Sequence, residues 1–238
     1  MLINELLDFR HCRKMRTTYA DGVTAFTVGG RVHPSLNLTG AETGRLSCSN
    51  PNLQNIPRGV EIRSMFKTKP GMVLVDADFS QIELRVAAGL SGDPAMQAIF
   101  AEGVDYHQRT AELISEVAFG IPPDEVKSHH RSYAKAVNFG LLYGQSAAAL
   151  AKTLDSTTAT AQRVQDAILG QFKHLKEWIA RQVREAKASG ETWTYWEGQR
   201  ARRRPLPNID SPASDLRSSA ERCAWNTPIQ GTASDYCL

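Results

Sequence analysis

Between Pro94 and Gly190 one helical pattern follows another, and the β-prone stretches of the chain fall outside that block. That order marks a helix-dominated block with shorter β-prone pieces on either side. Asp93-Pro94 opens the block with a capping residue followed by proline in the first turn. Further helices are expected over Asp105 to Phe119, Asp124 to about Thr153, and Thr157 to Ala188, with Gly190 as the stop.

The flanks read differently. Residues 2 to 19 carry a helical pattern, and Gly22, Gly29 and Gly30 then break the chain into short β-prone pieces around Val23 to Val32, a helix end and a hairpin. From Thr39 to Pro57 the sequence is rich in Ser, Asn, Gly and Pro, and a loop this long is usually functional or disordered. A strand is expected over Met72 to Phe79. Alternation would point Leu74, Asp76 and Asp78 to one face and Val73, Val75 and Ala77 to the other. Ser80, with Glu83 three residues on, has capping-box spacing for a helix through Leu90. After Gly190, β-prone residues at Thr192 to Tyr195 and a turn at Pro205 to Pro212 lead to a last helix near Ser214 to Asn226. There is no internal repeat.

With 238 residues, 42% hydrophobic and 22% charged, the chain can bury a core in one large domain or two lobes. No apolar run is long enough to span a bilayer, and the first segment reads as an acid-bearing amphipathic helix rather than a signal peptide. The expectation is a soluble, cytoplasmic protein with no membrane partner. The four cysteines, Cys12, Cys48, Cys223 and Cys237, lack zinc or redox spacing and are expected as reduced thiols. A net charge of +3 is too small to imply nucleic acid by itself. Arg200, Arg202, Arg203 and Arg204 crowd together, which suits either a solvated turn or a phosphate track.

Arg131, Lys135, Phe139 and Tyr143 recur every four residues, each about 40° beyond the last on a helix, so they form one slanted face. Ala134, Val137 and Leu141 fall on roughly the opposite side as an apolar seat. Arg and Lys give charge-assisted hydrogen bonds to a triphosphate, and a ring offers a stacking platform to a base. The spacing alone equally fits a solvated basic face with two half-buried rings.

Arg131-Ser-Tyr-Ala-Lys135-Ala-Val-Asn-Phe139-Gly-Leu-Leu-Tyr143-Gly144 resembles motif B of family A DNA polymerases, the fingers helix that closes on the incoming nucleotide. The resemblance implies that Arg131 and Lys135 bind the triphosphate, Phe139 packs on the nucleotide, and Tyr143 stacks near the templating base. Asp78-Phe79-Ser80-Gln81-Ile82-Glu83-Leu84-Arg85 is similar to motif A, whose strand-ending Asp holds two magnesium ions. Nucleotidyl transfer needs hard oxygens around such cations. The resemblance therefore assigns the metals to Asp78 and the carbonyl of Phe79, with Gln81 and Glu83 at the nucleotide. It makes Glu83 a steric gate beneath the sugar, a role compatible with a cap. Alternation cannot separate Asp76 from Asp78; only the motif selects Asp78, and Asp76 is expected as a paired or solvated acid.

Thr43 to Pro57 resembles the family's long palm segment before motif A, with Arg45 at the minor groove of the primer end and Gln54 and Asn55 facing the duplex. Asp105-Tyr-His107 resembles the fingers element whose His contacts a phosphate. Glu221 to Ala233 resembles the palm helix and turn after the fingers, where Arg222, Asn226 and Gln230 would contact template and primer. The Gly198 to Pro205 segment resembles the family's Arg-rich hairpin, favouring a phosphate or hinge role for its arginines.

The implied organisation is base of thumb over 1–32, palm with motif A over 33–92, fingers over 93–204, and returning palm over 205–238. The fold class expected is α/β in the mixed sense, an antiparallel palm sheet with an inserted helical fingers subdomain. The expected activity is template-directed DNA synthesis from deoxynucleoside triphosphates on primer-template DNA. The family's motif C, with its second metal-binding Asp, is expected to lie past Leu238, so the chain should be inactive alone unless a second polypeptide supplies it. A non-catalytic primer-template or nucleotide binding module and a single-subunit RNA polymerase fragment are the alternatives.

Overall fold

The computed structural model describes residues 2–57 and 59–237; Met1 and Leu238, the outer bounds of the first and last expected segments, lie outside the described residues. Two compact units meet in the chain between Asp78 and Phe79.

In the first unit, helix α1 (Leu2–Lys14) runs on through a π-helical stretch, Met15–Ala20, into a short α2 (Asp21–Thr24). Strands β1 (Thr27–Val28) and β2 (Arg31–Val32) then pair antiparallel. Their turn places Gly29 and Gly30 at φ of 57° and 74°, and a two-residue turn matching strand twist needs positive φ at both central positions. The Thr39 to Pro57 region is more ordered than expected of a loop. Strand β3 (Ser35–Asn37) pairs with β4 (Ser47–Ser49), Leu36 opposite Cys48, and a 3₁₀ turn follows at Leu53–Asn55. That turn is capped by the Asn52 carboxamide oxygen, which accepts the Gln54 N–H at 3.1 Å. A short α3 (Val60–Arg63) precedes the segment expected as a strand.

Met72 to Phe79 is not a strand. It pairs with no strand among the described residues, and Val73 and Val75 are 84% and 83% exposed. Its β-prone composition is intact, but a strand is defined by a partner's backbone groups.

The second unit carries the helical block. Helix α4 (Ile82–Ser91) starts later than expected, and Ser80 is not its cap. Gln81 holds that position in the left-handed conformation, φ 56°, with no side-chain capping bond. Asp93 caps α5 (Pro94–Ala101) as expected, accepting the Ala95 and Met96 N–H groups at 3.1 Å. The three long expected helices are each split. α6 (Tyr106–Leu113) and α7 (Ser115–Phe119) occupy the first. The second begins as a 3₁₀ turn at Pro123–Glu125, continues as α8 (Ser128–Leu142), and after Gly144 resumes as α9 (Ala147–Thr153). Gly144 adopts φ 68°, which ends a helix, and the Ser146 hydroxyl caps the next by accepting the Ala149 N–H. The third divides at Phe172 into α10 (Thr158–Gln171) and α11 (Lys173–Ser189), with Gly190 as the stop at φ 73°. The second Asp93 carboxylate oxygen accepts the Leu175 N–H at 3.2 Å, so one buried acid caps both α5 and α11.

Strands β5 (Glu191–Trp196) and β6 (Gln199–Pro205) form a third antiparallel pair, Thr192 opposite Arg204, with a bulge between Trp193 and Tyr195. The expected last helix is longer: α12 (Ser214–Cys237) continues through Pro228. One core joins α4, α5, α6, α8, α9, α10, α11 and α12, with Leu84, Met96, Tyr106, Val137, Leu150, Ile168, Trp178 and Ile229 all buried. The class is the mixed one expected, helical with small antiparallel pairs. No helix among the described residues is long and apolar enough to cross a membrane.

Candidate functional site

The apolar seat of α8 is as the spacing requires, with Ala134 and Val137 fully buried and Leu141 half-buried. Arg131, Lys135, Phe139 and Tyr143 therefore lie along its more open side. The rings of Phe139 and Tyr143 stack at 5.8 Å between centroids, and the Lys135 ammonium lies 5.9 Å from the Phe139 ring. Lys135 forms no ion pair among the described residues, which leaves a cation at mid-stripe for an anionic ligand.

Arg131 is committed. Its Nε and Nη2 donate to the two oxygens of Asp105 at 3.1 and 2.8 Å, a two-pronged pair. Asp105 is also the cap of α6, accepting the Gln108 N–H at 2.8 Å, and it accepts from Gln81 Nε2 at 3.1 Å. Burial pulls this carboxyl upward. The Arg131 and Gln108 hydrogen bonds, with the charges of Arg131 and His107, outweigh that pull and hold it below its ordinary value.

His107 follows two residues on and is only 3% exposed. Its Nδ1 lies 3.0 Å from the Asn138 amide nitrogen, which also donates to Thr110 Oγ1 at 3.0 Å. An amide nitrogen is only a donor, so Nδ1 accepts and the ring proton sits on Nε2. Burial, aided by the charges of Arg131 and Lys135 and opposed by Asp105, pushes the imidazole down to about 4. At neutral pH it is an uncharged hydrogen-bond donor packed 5.8 Å from the Phe139 ring.

Glu83, 5% exposed, is drawn to the other end of the stripe, where its Oε2 accepts the Tyr143 hydroxyl at 2.7 Å. The capping-box role expected for it is thus replaced by a bond across 60 residues. Gln81, Glu83, His107, Arg131, Phe139 and Tyr143 accordingly form one connected set, with Lys135 inside it.

Arg222 and Asn226 of α12 reach the lower end of α8. The Leu142 carbonyl accepts from Asn226 Nδ2 and from Trp225 Nε1, both at 3.2 Å. Arg222 packs at Gly144, where an added Cβ would lie 2.5 Å from both Arg222 Cγ and Trp225 Cζ2. A cleft of about 700 Å³ opens here, between Phe139, Tyr143 and Gly144 on one side and Ser146, Thr153 and Arg222 on the other. Gln230 stands two turns further along α12 than Arg222, half-buried.

In the first unit, Arg45, Gln54 and Asn55 are exposed, and the Gln54 amide donates to the Leu46 carbonyl at 3.0 Å. Asp76, Asp78 and Phe79 are exposed. No group of three or more His, Cys, Asp or Glu side chains gathers among the described residues. The arginines of β6 are not one solvated run: Arg202 pairs with Asp235 at 2.7 Å and Arg204 donates to Thr227 at 2.8 Å, while Arg203 pairs with Glu191 and Arg200 lies over the Trp193 ring. The residues that sequence reasoning missed are Asp105, Asn138 and Trp225. Asp105 alone had a signal, its capping position, and nothing local marked its pairing with Arg131.

The family model for DNA polymerase family A matches residues 1–238. The chain belongs to that family. It is 39% identical over 240 residues to the thermostable DNA polymerase I of Thermus thermophilus, covering 98% of this chain and 28% of that protein. DNA polymerase I of Chloroflexus aurantiacus is 40% identical over 237 residues, covering 97% and 24%. Among solved structures, the POL domain of Pol1 from M. smegmatis in complex with DNA primer-template and dNTP matches with a TM-score of 0.85 at 37% identity, covering 98% of this chain and 41% of that one. The chain thus spans about a quarter of the length of the curated relatives it matches. Family A DNA polymerases are in general metal-dependent.

Proposed function

We propose that this chain is the palm and fingers part of a template-directed DNA polymerase that adds deoxynucleotides to a primer 3′ end. The observation that carries the reading is the α8 stripe itself: Lys135, a cation with no ion-pair partner among the described residues, between Arg131 and two stacked rings, bonded through Tyr143 to Glu83. Membership of family A supports the reaction class.

In the reaction the primer 3′ hydroxyl loses its proton to water as its oxygen bonds to the α-phosphorus, the bond to the bridging oxygen breaks, and pyrophosphate leaves with its electron pair. Lys135 and Arg131 bind the triphosphate and neutralise charge that grows on the leaving group. Arg131 keeps guanidinium donors beyond the two that engage Asp105, so the pair can orient the fork towards a phosphate. His107, uncharged, donates from Nε2. Phe139 packs against the nucleotide and Tyr143 lies under the templating base. Glu83, fixed by the Tyr143 hydroxyl, forms a wall where a ribose 2′ hydroxyl would stand, and Gln81 completes the pocket.

Asp78 and the Phe79 carbonyl would hold the metal ions. A carboxylate with a neighbouring carbonyl is the hard-oxygen donor set that magnesium takes alongside phosphate oxygens and water. Two such ions would lower the pKa of the primer hydroxyl and balance the pyrophosphate charge. Arg45, Gln54, Asn55, Arg222, Asn226 and Gln230 are assigned to the primer-template duplex.

The test is primer extension with magnesium, by the chain alone and with a polypeptide carrying motif C. Extension on complementation, abolished by Asp78→Ala and Lys135→Ala, is expected. A non-catalytic binding module would instead bind duplex with or without Asp78 and extend nothing in either arm.

A further inference from the structure

We infer that the β5–β6 hairpin positions α12 at its proline, and that Thr192 sets the common direction of Arg222, Asn226 and Gln230; this rests on reading that row as a duplex contact. Proline has no N–H, so Pro228 deprives the Ala224 carbonyl of its helical donor. Ala224 is 0% exposed, and a buried carbonyl must find another partner. Thr192 Oγ1, on a residue itself 5% exposed, donates to that carbonyl at 2.8 Å.

The same face of the hairpin holds α12 on both sides of the break. Arg204 Nη1 donates to Thr227 Oγ1 at 2.8 Å, and the Tyr195 N–H donates to Thr232 Oγ1 at 2.8 Å. Beyond them Arg202 donates to the Gly231 carbonyl at 3.2 Å and to Asp235 from Nε at 2.9 Å, while Thr194 Oγ1 donates to the other Asp235 oxygen at 3.0 Å. A proline inside a helix is where its axis bends. Pro228 lies between Asn226 and Gln230, so the bend decides whether the three side chains of the row point along one track. The hairpin's hydroxyls and guanidinium groups hold α12 on both sides of Pro228 and so set the course of its axis there. Thr192 and Arg204 are therefore positioning residues, acting on the duplex through α12.

The experiment measures binding of a fluorescent primer-template duplex to the full chain across a sodium chloride series, at a temperature where circular dichroism shows each variant folded. Thr192→Val keeps the shape and removes the donor; Thr192→Ser keeps the hydroxyl. The expected result is about fivefold weaker binding for Thr192→Val, a salt dependence lower by about one ion as the Arg222 contact is lost, and recovery in Thr192→Ser. A role in stability alone would lower the melting temperature and leave affinity and salt slope of the folded protein unchanged. Should Thr192→Val not fold, Arg204→Gln, which removes the bond at Thr227, decides by the same two quantities. Unchanged affinity and slope in the folded variants overturn the inference while leaving the duplex reading intact. No duplex binding by the unaltered chain at the lowest salt overturns both.

Discussion

The Tyr143 hydroxyl donates to Glu83 Oε2 at 2.7 Å, joining the last turn of the α8 stripe to the first turn of α4. A phenol bound to a 5%-exposed carboxylate fixes both partners, because each would otherwise rotate about its own side-chain torsions. The bond makes Glu83 and the Tyr143 ring, the proposed sugar wall and template platform, parts of one object.

Tyr143→Phe removes that donor and keeps the ring. A hydrogen bond to a charged group contributes about 1.5–3 kcal/mol, so stability in urea is expected to fall by roughly that amount. With Glu83 less fixed, ribonucleotide incorporation in the complemented enzyme should rise relative to deoxynucleotide incorporation. Equal discrimination in Tyr143→Phe and the unaltered enzyme would show that the bond does not set the gate.

His107 predicts an acid-sensitive fold. Its folded value lies near 4 against an ordinary 6.5, so the unfolded chain takes up the proton first as pH falls. The contribution is therefore complete above about pH 6.5 and is lost progressively towards pH 4, amounting to about 3 kcal/mol. Denaturation midpoints at pH 7 and pH 4.5 should differ less in His107→Gln than in the unaltered protein. An identical difference in both would remove His107 as the source.

Much of the second unit was legible because helices announce themselves locally. Asp93-Pro94, the Gly190 stop and the buried seat of Ala134 and Val137 all follow from spacing and capping chemistry. The breaks at Ile114, Gly144 and Phe172 were not, since apolar periodicity continues on either side of them and tertiary packing decides where a helix ends. Met72 to Phe79 failed for the opposite reason, as its alternation is real and its pairing is not a local property. The site divides the same way. The stripe could be read from a four-residue step, whereas Asp105 with Arg131, 26 residues apart, and Tyr143 with Glu83 are products of the fold.

Asp105→Asn tests what that acid does for Arg131. Asparagine caps a helix about as well as aspartate, so α6 keeps its start. The Asp105–Arg131 pair is partly exposed, which limits the expected loss of stability to about 1 kcal/mol. The larger effect should be on nucleotide affinity, because Arg131 loses the partner that orients its fork. Titration with a deoxynucleoside triphosphate in the presence of magnesium would read this, and unchanged affinity would reduce the pair to a surface contact.

Asp93→Ala should be among the costliest single changes in the helical unit. The residue is 1% exposed and its two oxygens satisfy the N–H groups of Ala95, Met96 and Leu175, orphaned donors of two different helices. Losing one cap costs about 1 kcal/mol, so a loss of at least 2 kcal/mol is expected when both go. Hydrogen exchange should report faster amides in the first turns of both α5 and α11, and acceleration confined to α5 would show that Leu175 is held by other means.

Gly144→Ala strikes the joint between α8 and α12. The backbone there has φ 68°, which costs an alanine about 1–2 kcal/mol by itself. The new Cβ would also stand 2.5 Å from Arg222 Cγ and Trp225 Cζ2, and the indole cannot yield without stretching its 3.2 Å bond to the Leu142 carbonyl. Stability is expected to fall by more than about 2 kcal/mol, with Trp225 fluorescence shifted as the ring moves. The diagnostic comparison is Gly144→Ala with Trp225→Phe, which removes the indole donor and trims the contact. If the double variant recovers no stability over the single one, the Trp225 indole contributes none of the effect, which then lies with backbone strain and the Arg222 contact.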